Sequence, residues 1–276
     1  MTTYDSYIGN ELRQSDAITP ALIERYKAVI GDDGRKANLP YGLHWCLCLP
    51  KAAMEELGPD GHPKTGGFLP KSPLPRRMWA SSDVQFLRPL KVSGSVDRVS
   101  TIQSAKSKLG RSGELLFVNV EHVTVCEGED SIREIQTIVY REPSSAKLTL
   151  PAAIQHDLSE WEFTESLTPN EAFLFRFSAL TFNTHRIHYD LPYAVKEEGY
   201  PALVVHGPLM ASLLLRFATQ ILYGKEIETF KFRGISPAYC SETISLAANL
   251  EKEGLELAII GSDGRTVMSA NVGSHS

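Results

Sequence analysis

Residues 177–209 read FSALTFNTHRIHYDLPYAVKEEGYPALVVHGPL, and the rest of the chain is organised around them. Three of the eight histidines, His185, His188 and His206, fall in this stretch, with Asn183, Arg186, Tyr189 and Asp190 between them. It closes on His206-Gly207-Pro208 and runs into the apolar segment LMASLLLRFA. Proline suits the first turn of a helix and glycine permits the turn into it, so a helix is expected from Pro208 to Leu222, ending near Gly224. Groups that exchange protons thus precede a glycine-led start of an apolar helix.

The chain has 276 residues, 42% of them hydrophobic, which is enough for one large domain or two of ordinary size. With 28 basic against 33 acidic residues the net charge is -5. That excludes bulk nucleic-acid binding but leaves room for a local basic pocket that takes an anionic ligand. Cys46, Cys48, Cys126 and Cys240 lack zinc-ligand spacing and read as buried thiols of a reducing compartment. The N-terminus has no basic and apolar leader, and no apolar run reaches the ~18 residues of a membrane span. We therefore expect a cytoplasmic protein without membrane contact.

Outward from the organising stretch, Thr19 to Gly31 reads as a helix, capped by Thr19, with Pro20 in its first turn and an apolar stripe through Leu22, Ile23, Tyr26 and Ile30. GLHWCLCLPKAAMEELG after Pro40 reads as a second helical run, interrupted at Pro50. Residues 58–75 are a Gly-, Pro- and Lys-rich loop. From Met78 the period becomes strand-like through four segments, with GRSG (110–113) and EGED (127–130) as hairpin turns. Residues 142–170 show no period and predict a linker. After the apolar helix come three more strands, the last two joined by a turn at Asp263-Gly264.

The two halves echo each other at a spacing near 150 residues. Each has a loop, an apolar helix opened by a histidine (His44, His206) and then antiparallel strands. VQFLRPLKVSGSV resembles FKFRGISPAYCSETI. The class is α+β, a duplicated unit in which an antiparallel sheet wraps a helix. The boundaries are 1–145 for the first unit, 146–168 for the linker and 169–276 for the second.

Three clusters carry chemistry. Asn183 and His188 are five residues apart, and an imidazole that titrates near neutrality can take or give a proton while an amide holds a water. The alternative is that His185 and His188 merely satisfy backbone carbonyls. At Gly207 the unpaired N–H of a helix start can face a developing oxyanion; the alternative is that the glycine serves the turn alone. PLPRRMW (73–79) combines Arg76, Arg77 and Trp79 into a surface suited to phosphates and an adenine ring, or else is a solvated loop with an anchoring indole. Arg111 and Arg233 are further basic candidates. A phosphate loop, a dinucleotide fingerprint, a nucleophile elbow and zinc-ligand spacing are all absent from the sequence, so cofactor-free and metal-free proton transfer is expected.

FSALTFNTHRIHYDLPYA and the following His-Gly resemble the signature of the MaoC-like, R-specific enoyl-CoA hydratases. More closely, SALTFNTHRIHYD, PLPRRMWA and RSGELLFV resemble the hydroxyacyl-thioester dehydratases and the mesaconyl- and itaconyl-CoA hydratases, across most of the chain. The resemblance implies a double hotdog fold and places His188 as the catalytic histidine, Ala194 at the small position and Gly207 as the N–H that polarises a thioester carbonyl. Asn183 stands where that signature has a catalytic aspartate, and His185 where it has asparagine. It further implies hydration of a 2-enoyl-CoA with a second carboxylate, itaconyl-CoA or mesaconyl-C4-CoA to citramalyl-CoA. Arg76, Arg77, Trp79, Arg186, Tyr189 and Arg233 are then the substrate-binding candidates. Dehydration of 3-hydroxyacyl thioesters, a non-catalytic acyl-CoA-binding role and a thioesterase based on Asp190 are the alternatives. A homodimer is expected from exposed sheet edges.

Overall fold

The computed structural model describes residues 4–35, 39–110, 113–142 and 156–274. Its ten strands form one antiparallel sheet. The first five are β1 (Glu11–Ala17), β2 (Arg76–Phe86), β3 (Ser95–Gly110), β4 (Gly113–Cys126) and β5 (Glu129–Arg141). The second five are β6 (Phe163–Leu167), β7 (Ile227–Gly234), β8 (Ile244–Glu251), β9 (Gly254–Gly261) and β10 (Thr266–Ser274). The order β1-β3-β4-β5-β2-β7-β10-β9-β8-β6 repeats itself about the β2–β7 junction. There Val84 pairs with Phe230 and Asp83 with Lys231, whose side chains form an ion pair at 2.8 Å. The duplication expected from the sequence is thus a double hotdog whose two sheets fuse edge to edge.

Local chemistry sets the elements. Helix α1 (Pro20–Ile30) is capped as expected, the Thr19 side chain accepting from the Leu22 N–H. The β4–β5 turn places Glu127 (φ 52°) and Gly128 (φ 81°) in the left-handed region, as a tight hairpin turn requires. Helix α4 (Gly207–Ile221) is apolar nearly all round and buries ten side chains, so it lies inside the second half of the sheet as a central helix. Its packing against β7–β10 and α1 fixes the position of its N-terminus.

Two expectations change. The run after Pro40 is not a helix. It makes short 3-10 turns at Leu43–Cys46 and Met54–Glu56. The backbone there bonds to β1 instead, since the Cys48 N–H donates to Asp16 and the Gln14 amide donates to the Leu49 carbonyl, and Pro50 has no N–H to offer. Among the described residues the first half therefore has no long central helix. Trp45, His44 and the buried carboxylate of Glu134 occupy its core.

The supposed linker also contains structure. Strand β6 lies within 146–168 and pairs with β8, and helix α2 (Glu171–Thr181), capped by Asn170, follows it. The second unit thus begins before residue 169. Arg111, the centre of the GRSG turn and residues 143–155 lie outside the described residues. All four cysteines are buried and unpaired. Among the described residues no helix is long and apolar enough to cross a membrane.

Candidate active site

Helix α2 ends at Phe182, which adopts a left-handed conformation (φ 49°) and turns the chain into Asn183. The Asn183 Oδ1 accepts the His185 N–H at 2.9 Å, a local turn that sets up the 3-10 turn Arg186–His188. His188 is thereby buried with Nδ1 2.7 Å from the carbonyl oxygen of Val204. A carbonyl only accepts, so Nδ1 carries the proton and Nε2 is left as a base. Burial holds this ring at a pKa of about 4, the Val204 carbonyl opposing the shift, so the imidazole is neutral at physiological pH.

His206 stacks on His188 with ring centres 3.6 Å apart and 20° between the planes. It is fully buried, its Nε2 lies 2.8 Å from Ser178 Oγ on α2, and burial pushes its pKa well down. His206 stands at the N-cap position of α4 without a side-chain capping bond, so the same residue that backs His188 precedes Gly207 at the first helical position. A Cβ on Gly207 would meet only the Trp79 carbonyl, at 3.9 Å. The glycine is not required by packing within the chain, and it leaves the helix start open to a ligand.

The first half of the chain reaches this centre through the loop between Leu57 and Pro63. Asp60 Oδ2 lies 2.8 Å from His62 Nδ1, and the His62 ring lies 4.0 Å from that of His185. His185 in turn meets His188 edge-on at 5.4 Å. Three hydrogen bonds stitch the loop to the histidine segment: Thr184 Oγ1 to the Gly61 carbonyl (2.6 Å), the Arg186 N–H to the Asp60 carbonyl (2.9 Å) and Arg186 Nη1 to the Pro59 carbonyl (2.9 Å). Only glycine fits at 61, because φ is +87° and a Cβ would lie 1.9 Å from the Thr184 carbonyl. Asp60, His62 and His185 have potential metal-ligating atoms within 4.8 Å of one another. Asp60 and His62 are already bonded to each other, so the arrangement is a carboxylate–imidazole pair beside a second ring.

The arginine and aromatic candidates separate. Alternation along β2 sends Arg76 and Arg77 to opposite faces. Arg76 is tied to Glu198 (2.8 Å) and to the Glu197 carbonyl, beyond the end of helix α3 (Leu191–Lys196). Arg77 reaches the Pro63 carbonyl and acts electrostatically on His62 and His185. The Trp79 indole is partly buried, packs edge-on against Trp45 and donates to Ser82 Oγ, so it is anchored against the core. Arg186 is consumed by Asp190, Pro59 and the ring of Tyr193, which makes it a clamp between the halves. Tyr189 is about half exposed. Arg233 is exposed on β7, on the face opposite the buried Phe232 and hence away from the helix layer. The residues brought together are Asn183, His185, His188, Gly207 and Arg77. Asp60, His62, Ser178 and the stacking role of His206 were not read as part of the site from sequence.

Fold and site together define a double-hotdog hydro-lyase. The family model for hydroxyacyl-thioester dehydratase type 2 matches residues 42–240, and the chain belongs to that family. It is 42% identical over 239 residues to mesaconyl-C(4)-CoA hydratase of Chloroflexus aurantiacus, covering 85% of this chain and 83% of that protein. It is 26% identical over 271 residues to the mitochondrial hydroxyacyl-thioester dehydratase type 2 of Schizosaccharomyces pombe, covering 84% and 87%. The MaoC-like dehydratase of Phytophthora capsici shares the fold, with a TM-score of 0.74 over 100% of this chain and 99% of that one at 15% identity.

Proposed function

We propose that this enzyme hydrates a 2-enoyl-CoA carrying a second carboxylate, converting mesaconyl-C4-CoA to citramalyl-CoA, and that itaconyl-CoA reaches the same product once its double bond has shifted into conjugation with the thioester. The observation that carries this reading is His188, whose Nε2 is left free by the Val204 carbonyl, next to the open helix start at Gly207. His188 Nε2 takes a proton from water as the water oxygen bonds to the β-carbon. The double-bond electrons move toward the thioester carbonyl, and the Gly207 N–H with the α4 dipole stabilises the enolate oxygen. Protonation of the α-carbon completes the addition. Asn183 cannot ionise and keeps its amide N–H groups for orienting the water, since its Oδ1 is spent on His185.

The choice of a dicarboxylic acyl group is supported by the name of the 42%-identical relative and by Arg77, a cation beside the histidines. Substituting Arg77→Met removes a charge-assisted contact of about 1.5–3 kcal/mol. We expect kcat/KM for mesaconyl-C4-CoA to fall ten- to a hundredfold, with crotonyl-CoA turnover changed much less; equal loss on both substrates would refute the role. The second reading, dehydration of 3-hydroxyacyl thioesters, is favoured by the family model and predicts that longer uncharged acyl chains outperform mesaconyl-C4-CoA. We place the enzyme in the cytoplasm, which tagged-protein imaging would check. We also infer a homodimer, formed through exposed sheet edges, and a monomeric mass in sedimentation equilibrium would exclude it.

A further inference from the structure

A hydratase must handle two protons, one leaving water and one reaching the α-carbon. His188 accounts for the first. Position 183 offers only an amide for the second, and this follows from the residue itself. The structure nevertheless brings a carboxylate to the site from 123 residues away: Asp60 bonds His62 at 2.8 Å, and the His62 ring lies 4.0 Å from His185, which meets His188 edge-on. The loop that carries the pair is fastened to the histidine segment by hydrogen bonds to Thr184 and Arg186, and only glycine fits at its tip. Such fastening is what a group needs if it must hold a fixed distance to a reaction centre.

We infer that Asp60 and His62 supply the ionisable pair that position 183 lacks, and that the second proton of the reaction passes through His62 and His185. This rests on the hydratase reading above. Asp60 fixes His62 with Nδ1 toward the carboxylate and its ring beside that of His185, and it stabilises the ring when charged. In the forward direction His188 gains the proton lost by water, the new C–O bond forms at the β-carbon, and the π pair becomes the enolate. The proton that leaves the protonated His62 ring by way of His185 forms the α-C–H bond, and His62 is left neutral beside the Asp60 carboxylate. Transfer of the His188 proton back to the pair through solvent closes the cycle with one water consumed. The charged and titratable groups that face His62 are Asp60, Arg77, Glu198 and His185. Burial and Arg77 disfavour the charged ring, Asp60 and Glu198 favour it, and the net effect holds the His62 pKa below the usual imidazole value.

His62→Gln and Asp60→Asn, each with and without Asn183→Asp, test this against wild type and His188→Ala, using mesaconyl-C4-CoA. For both single variants we expect kcat to fall about a hundredfold or more with KM little changed, and the limb of the pH–rate profile that belongs to the pair to disappear. Adding Asn183→Asp returns a carboxylate to the histidine segment and recovers at least tenfold of the loss. If His62→Gln fails to fold, Asp60→Asn alone reads the same pH limb. Either variant keeping kcat within twofold of wild type while His188→Ala is inactive overturns the inference and leaves the hydratase reading standing. So does activity that is lost to a chelator and restored by zinc, because the three side chains would then hold a metal. A wild-type enzyme that hydrates no enoyl-CoA, or an active His188→Ala, sinks the hydratase reading and this inference with it.

Discussion

His188→Ala lowers kcat by roughly 10²–10⁴-fold, while the protein still unfolds cooperatively but at a lower midpoint, because the buried Val204 carbonyl loses its donor and a cavity opens beside His206. The argument is geometric. The Val204 carbonyl leaves His188 Nε2 as the unprotonated nitrogen, and the stacked His206 ring prevents the imidazole from turning to another partner. Alanine removes the base and its stacking on His206, while the bond between Ser178 and His206 remains to hold the segment that enters α4. Because burial holds the His188 pKa near about 4, the base stays unprotonated well below the usual histidine range. In the wild-type enzyme kcat/KM therefore declines on the acid side near pH 4 and not near 6.5, the free-enzyme base being what that limb reports. Steady-state kinetics across pH check both statements; retained turnover in His188→Ala would refute the first.

Glu134→Ala destabilises the fold by about 3–5 kcal/mol, lowering the thermal midpoint by roughly 6–20 °C for a chain of this size. Glu134 is 4% exposed, in the core of the first half. Its carboxylate accepts from Trp45 Nε1 at 3.1 Å and from Ser82 Oγ, and lies 3.6 Å from His44 Nε2. Burial alone would raise its pKa, but His44, His122 and Ser82 outweigh that and hold it at about 2. Removing the side chain leaves buried donors without an acceptor, which is the expensive way to break such a network. The sign of the pH effect follows from a folded pKa below the unfolded one. Glu134 contributes its stability above pH 4.5 and loses it as pH falls toward 2. Denaturant midpoints at neutral and acid pH measure both effects, and a loss under about 1 kcal/mol at neutral pH would show the network to be dispensable.

Legibility in the sequence followed the range of the interactions. Helix α1 with its Thr19 cap, the buried α4 and the β3–β4–β5 meander were readable because period, caps and turn residues are local signals. Strand β1 was missed because ELRQSDA is polar and mostly exposed, and β6 because a short edge strand followed a Pro- and Ser-rich segment. Helix α2 has no single apolar face that a period would pick out. The run through Trp45 read as a helix because its apolar spacing is helical; only tertiary bonds from Asp16 and Gln14 redirect its backbone.

The site divides in the same way. His188 and Gly207 were readable as candidates because they sit in one contiguous motif. Arg76 and Trp79 lie three positions apart on β2, and the partner each has within the protein, Glu198 for Arg76 and Ser82 for Trp79, is not visible in the sequence. Asp60 and His62 lay in a loop marked only by glycine and proline, and nothing local links that loop to His185.

Product analysis of mesaconyl-C4-CoA incubated with the purified enzyme tests the central claim most directly. The account predicts loss of the enoyl chromophore, appearance of a CoA ester heavier by one water, and no free thiol. Release of free thiol, or an unchanged substrate, would contradict it.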